Sequence, residues 1–290
     1  MRLVWAIALG WLALAAPPVL AQDDSLPLAC RPQPGRGVDY LRCANAVEPG
    51  SAAHRWALIN LASQAVQAND FPTAVRRYDE AAAGGQSLFS DPLFHAYRGT
   101  AFAHVGRDEE ALADARLALS MLDGSYAWQH PWMAEDAAGV DRETVLLSIL
   151  PILHEAEDPG AASALAMLEA MPINDWVSSV NRAGMAVTIG RPEEALRMNA
   201  VALAQRPPHP AALNNQCMIL TALNRAAEGV GYCERAVAAA PQIGAVHDSL
   251  ADALVALGRC EEAEAALQNA RRLDPSSAHY QRTLTCSSTE

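Results

Sequence analysis

The sequence contains no lysine. All 21 basic residues are arginine, and 33 aspartates and glutamates outnumber them, for a net charge of −12. That balance speaks against nucleic acid or an anionic lipid surface as a partner. Compact metal-ligand spacings are missing too. There is no Cys-x-x-Cys and no His-x-x-x-His, and the eight histidines are dispersed. No Gly-x-Ser-x-Gly turn accompanies the serines, and no glycine-rich loop is present to cradle a phosphate. Beyond the first 16 residues no apolar run is long enough to span a bilayer. These absences exclude the common catalytic constellations. The chain reads as a protein that is not an enzyme and takes no cofactor and no metal.

What is present is a phrase that returns. Gly190-Arg191-Pro192-Glu193-Glu194-Ala195 is followed by Asn224-Arg225-Ala226-Ala227-Glu228-Gly229 and by Gly258-Arg259-Cys260-Glu261-Glu262-Ala263. A proline closes each unit, and Pro207, Pro241 and Pro275 stand 34 residues apart. A fixed period of this length signals a stacked array. The opening Gly or Asn tolerates the left-handed backbone that ends a helix. The glutamates that follow occupy a first helical turn, where the helix dipole favours negative charge. Small residues recur at fixed distances before each proline: Ala202, Ala236 and Ala270; Ala195, Gly229 and Ala263; Ala183, Cys217 and Ala251. They mark places where two helices touch closely. One such pair cannot bury its apolar face alone, so pairs must stack.

The period, the small-residue positions and the terminal proline resemble the tetratricopeptide repeat. The family's aromatic near the start of the first helix is replaced here by Leu213 and His247. The resemblance implies an all-α fold, a right-handed α-solenoid of about six helix hairpins plus a C-terminal cap helix. Two repeats are expected over residues 51–122, a degenerate one over 142–175, three over 176–277, and the cap helix and tail over 278–290. Upstream, Asn69-Asp70-Phe71-Pro72-Thr73-Ala74 and Gly106-Arg107-Asp108-Glu109-Glu110-Ala111 occupy the turn phrase, with Ala62, Ala81, Gly99 and Ala118 at the close contacts. In the degenerate repeat the turn falls at Asp158-Pro159-Gly160, and Pro151 interrupts the first helix. Residues 123–141 break the rhythm with Trp128, His130 and Trp132. They form an aromatic insertion that either covers the neighbouring helix end or serves as a functional loop.

Residues 1–21 read as a secretory signal, with Arg2 before an apolar core and Val19-Leu20-Ala21 at the cleavage site. A retained anchor and lipidation of Cys30 are the alternatives. Residues 22–50 form a leader rich in Pro and Gly, containing Cys30 and Cys43. Six cysteines behind an export signal favour disulfides, with fifteen pairings open on sequence alone. The repeat register narrows them. Cys217 and Cys233 lie eight residues either side of Arg225, which places them level in a helix hairpin. Cys260 opens a helix on which the end of the chain, with Cys286, can fold back. The expected pairs are Cys30–Cys43, Cys217–Cys233 and Cys260–Cys286. The alternative for Cys217 and Cys233 is that they are small buried hydrophobes.

In the family, a position on each first helix lines a concave peptide groove. The resemblance places Asn60, Tyr97, Asn181, Asn215 and Ser249 there, with Asn214 beside them. Amide side chains donate and accept at once, so a row of them can grip an extended backbone without reading its sequence. The family's charged clamp for a peptide carboxyl terminus needs lysine, which is absent. Asp248 and Asp252, one turn apart, make the last part of the groove acidic and suit a basic or neutral segment. The expected function is an exported, periplasmic scaffold or adaptor that binds an extended segment of another exported protein, with no nucleic acid and no stable membrane insertion after signal cleavage. The alternatives are a periplasmic maturation or assembly chaperone and an envelope enzyme using His130 or Asp136 of the insertion.

Overall fold

The computed structural model describes residues 27–32, 37–83, 91–125, 141–173, 175–204, 208–275, 277 and 279–286. The signal segment, Pro207, and Trp128, His130, Trp132 and Asp136 of the insertion lie outside the described residues. Within them are a 3-10 turn, Leu28–Cys30, and thirteen α-helices. These are α1 (Tyr40–Ala46), α2 (Ala52–Gln67), α3 (Phe71–Ala82), α4 (Pro92–His104), α5 (Asp108–Asp123), α6 (Arg142–Glu155) and α7 (Gly160–Glu169), then α8 (Trp176–Thr188), α9 (Pro192–Leu203), α10 (Pro210–Ala222), α11 (Ala226–Ala239), α12 (Gly244–Ala256) and α13 (Cys260–Leu273). The helices pair as six hairpins, α2/α3 through α12/α13. The chain divides into two compact units between Met171 and Pro172, the first holding α1–α7 and the second α8–α13.

Every hairpin turns in the same way. One residue adopts a left-handed backbone: Asn69, Gly106, Glu157, Gly190, Asn224 and Gly258. Its N–H bonds the carbonyl three residues back, and the next N–H bonds the carbonyl five back, as in Arg191 N to Ala186 O at 2.7 Å and Arg225 N to Leu220 O at 2.8 Å. The pair of bonds is a Schellman motif, and it satisfies carbonyls that a helix end otherwise leaves open. The arginine after the turn then reaches forward to the glutamate three residues on. Arg107–Glu110, Arg191–Glu194, Arg225–Glu228 and Arg259–Glu262 all pair this way. These forks lie at the surface, where solvent screens them, so they add little to stability. They explain why Arg and Glu recur in the phrase. In the degenerate hairpin the left-handed residue is Glu157, one position before the expected turn, and α6 runs through Pro151.

The small positions sit where the two helices of a hairpin meet. Ala62, Ala74, Ala183, Ala195, Cys217, Ala251 and Ala263 are all fully buried. Gly99 and Gly229 occupy the same contact. A Cβ on Gly229 would stand 3.1 Å from Leu220 Cβ and 3.2 Å from the Cys217 carbonyl. In the second hairpin the polar cost of close packing is met by an ion cluster. Asp114, almost fully buried, accepts from Arg98 Nε at 2.7 Å, Arg98 Nη2 at 2.8 Å and His95 Nδ1 at 2.7 Å. Burial works to raise the Asp114 pKa, but the Arg98 and His95 contacts outweigh it and hold the carboxyl below its usual range.

Three disulfides are present, Cys30–Cys43, Cys217–Cys233 and Cys260–Cys286. The first ties the leader turn to α1, where Tyr40, Trp56, Ala57 and Leu61 form one buried cluster. The C-terminal cap helix does not form. Among the described residues of that segment, the chain makes a turn at 279–281 and runs without helix from 282 to 286. Geometry gives the reason. Cys286 must return to Cys260 at the far end of α13, a helix of 14 residues and so roughly 20 Å long. A short helix rises only about 1.5 Å per residue, whereas extended chain covers about 3.3 Å.

Two predictions follow from these contacts. Glu157→Gly relieves a left-handed side-chain conformation and raises the urea-unfolding free energy by about 1 kcal/mol. Asp114→Asn strands Arg98 and His95 and costs about 3 kcal/mol. Because folding depresses the Asp114 pKa, its contribution is full above the ordinary carboxylate range and is lost as pH falls through the folded value. The gap between wild type and variant, followed by denaturation against pH, therefore stays constant near neutrality and closes in acid.

Candidate functional site

The first helices of the second unit pack side by side, α8 against α10 and α10 against α12. Asn215 spans the first of these contacts. Its Nδ2 donates to the Val180 carbonyl at 2.8 Å. The missing Cβ of Gly184 keeps the space beside it open, since a Cβ there would stand 3.8 Å from Asn215 Nδ2. Asn181, the residue after Val180, is half-buried like Asn215. Part of the Asn215 amide is thus already used to join two helices, at the residue before Asn181.

The other expected groove residues are placed differently. Tyr97 is 5% exposed and belongs to the core of the first unit with Tyr78 and Phe94, its hydroxyl meeting Gln67 Nε2 at 3.4 Å. It does not line a surface. Asn60 is half-buried and turns its amide back to the Trp56 carbonyl at 2.8 Å. Asn214 is 7% exposed, donates to Met218 Sδ, and leaves Oδ1 buried without a partner among the described residues. Ser249 is buried as well.

Asp248 and Asp252 do come together, but not as an open acidic groove. The tail pairs with both, and Asp248 lies buried while Asp252 stays exposed. Arg282 spreads its guanidinium over both, with Nη1 on Asp248 Oδ1 and Nη2 on Asp252 Oδ1 at 2.6 Å. His279 Nε2 donates to Asp248 Oδ2 at 2.9 Å, and Asp248 is only 4% exposed. From the other side Arg271 of α13 grips the tail backbone. Its Nε donates to the Tyr280 carbonyl at 2.8 Å and its Nη2 to the Arg282 carbonyl at 2.7 Å. Tyr280 packs over Gly244 and, with Leu284 beside it, into the apolar cluster of Leu254, Leu267 and Ala270. Burial, then the nearby carboxylates of Asp248 and Asp274, push the Tyr280 pKa up to about 12.

Arg271, His279, Tyr280 and Arg282 are absent from the sequence-based site. A signal for them exists. Tyr280, Arg282, Leu284 and Cys286 alternate with Gln281, Thr283 and Thr285, the two-residue period of extended chain with one covered side. The structure follows it: 280 is buried, 282, 284 and 286 half-buried, and 281, 283 and 285 exposed. Among the described residues no group of three His, Cys, Asp or Glu could hold a metal. No helix there is long and apolar enough to cross a membrane.

Comparison with known proteins relates two stretches of the chain to a known repeat. The family model described as tetratricopeptide repeat matches residues 59–126 and 249–284. A tetratricopeptide repeat protein from Parabacteroides merdae superposes with a TM-score of 0.58 at 12% identity, over 84% of this chain and 90% of that one, and shows a shared fold. The TPR2AB domain of yeast Sti1, solved in complex with pHSP90, aligns over 79% of this chain and 94% of its own at 16% identity, with a TM-score of 0.33. That score is too low to relate the two folds. No curated protein matches the sequence.

Arg271 bonds two carbonyls of the tail, those of Tyr280 and Arg282. Arg271→Ala is expected to raise amide hydrogen exchange at Tyr280 and Arg282 by about tenfold or more while leaving α8–α10 protected. Exchange unchanged at those two amides would remove Arg271 from this role.

Proposed function

We propose that this chain, an array of tetratricopeptide repeats, is an exported, non-enzymatic scaffold that holds an extended segment of a partner protein on the first-helix face of its second unit. Such repeats generally mediate contacts between proteins. The observation that supports the finer reading is the Asn215 amide reaching from α10 to the Val180 carbonyl of α8, beside Asn181 and Gly184. Amides placed there pair with the N–H and C=O groups of an extended guest, whatever its side chains. The acidic surface, with a net charge of −12, favours a neutral or basic guest.

Export is supported by the apolar leader behind Arg2 and by three disulfides, which persist in oxidising compartments such as a bacterial periplasm. The double variant Asn181→Ala/Asn215→Ala, used as bait in an envelope extract, is expected to hold its identified partner about tenfold more weakly than wild type. Its thermal midpoint serves as a control, because Asn215 also joins two helices. Undiminished capture by a folded variant excludes this face as the binding surface.

A further inference from the structure

We propose that the end of the last hairpin is a second peptide-binding site, distinct from the Asn181–Asn215 site, that takes a segment of the pattern aromatic-x-arginine-x-leucine, and that the chain's own tail occupies it under control of the Cys260–Cys286 disulfide. The tail is held as a bound peptide is held. Its backbone carbonyls at 280 and 282 are read by Arg271, its arginine by Asp248 and Asp252, and its aromatic and leucine by one apolar cluster. A planar guanidinium fork suits two carboxylates one helical turn apart better than a point charge does. None of these contacts requires that the segment belong to the same chain.

The covalent pin is the part that can be released. Cys30, Cys43, Cys217 and Cys233 are fully buried, whereas Cys260 and Cys286 are both partly exposed. Thiol–disulfide exchange depends on access, so an external dithiol reaches this bond before the other two. One thiolate of the dithiol attacks one sulfur and frees the other cysteine. The second thiolate then closes on the first, leaving the reagent oxidised to a disulfide and two electrons and two protons on Cys260 and Cys286. The tail is then tethered only through the short stretch after Leu273, and an outside segment of the same chemistry competes for Asp248, Asp252 and Arg271.

The test uses the full mature chain and a labelled peptide of sequence His-Tyr-Gln-Arg-Thr-Leu-Thr, followed by fluorescence anisotropy. Oxidised wild type is expected not to bind it. Cys286→Ser, and wild type treated with dithiol just enough to open one disulfide, are expected to bind at least about tenfold more tightly. Arg282→Glu/Cys286→Ser, whose tail is repelled by the acidic pair, binds more tightly again. Adding Asp248→Asn/Asp252→Asn to Cys286→Ser, or replacing the peptide's arginine with glutamate, abolishes binding. Circular dichroism reports that the helices persist. Equal binding to oxidised wild type, or no binding to either folded Cys286→Ser or singly reduced wild type, overturns the proposal. So does reoxidation to a dimer cross-linked through Cys260 and Cys286 without peptide uptake, which assigns the site to a second copy. Asn181→Ala/Asn215→Ala should leave this titration unchanged, so failure here and failure of the Asn181–Asn215 site are separately visible.

Discussion

Close approach between the two helices of a hairpin is the constraint on which the structure depends. It requires a side chain no larger than alanine or cysteine at Ala62, Ala74, Ala183, Ala195, Cys217, Ala251 and Ala263, and none at all at Gly99 and Gly229. It also requires a turn of three or four residues, which a left-handed backbone closes with its carbonyls satisfied. Once those conditions hold, each hairpin within a unit presents an apolar flank to the next hairpin of that unit. Asp114, a larger polar group, enters between Arg98 and His95, which compensate its charge.

An array built this way has a problem at each end, since the last flank has no neighbour. The two ends solve it alike. Upstream, a leader pinned by Cys30–Cys43 lays Tyr40 over Trp56. Downstream, a tail pinned by Cys260–Cys286 lays Tyr280 and Leu284 over Leu254 and Leu267. Short non-repeat segments have little core of their own, and closing a loop of this size stabilises by about 3 kcal/mol by restricting the unfolded chain. The disulfides therefore sit where the repeat pattern offers least, with Cys217–Cys233 as a third brace inside a hairpin.

Sealing the downstream end also gives that end a binding chemistry. A lone apolar cover would leave Asp248 buried beside Asp252 with no countercharge, which is costly. Arg282 supplies the charge and Arg271 orders the backbone that carries it. The result is a stretch of non-helical chain held by side chains on its backbone, its charge and its apolar residues together. The two ends are alike in architecture.

The sequence by itself determined the hairpins. The 34-residue period from Pro207 to Pro275, the left-handed turn residues and the small contact positions are local requirements, written at fixed spacing. The turn at Glu157 was the exception, because a charged residue there carries no signature of left-handed backbone. The groove was legible only in part. Asn181 and Asn215 are half-buried, but Tyr97 and Asn214 sit inside, since position on a helix does not reveal which neighbour will cover it. The tail was misread as a helix although its alternation of Tyr280, Arg282, Leu284 and Cys286 was visible. Only the tertiary structure decided that these four residues lie against α12 and α13, because what holds them there, Asp248, Arg271 and Cys260, is brought to the tail by the folding of the hairpin and not by nearness in the chain.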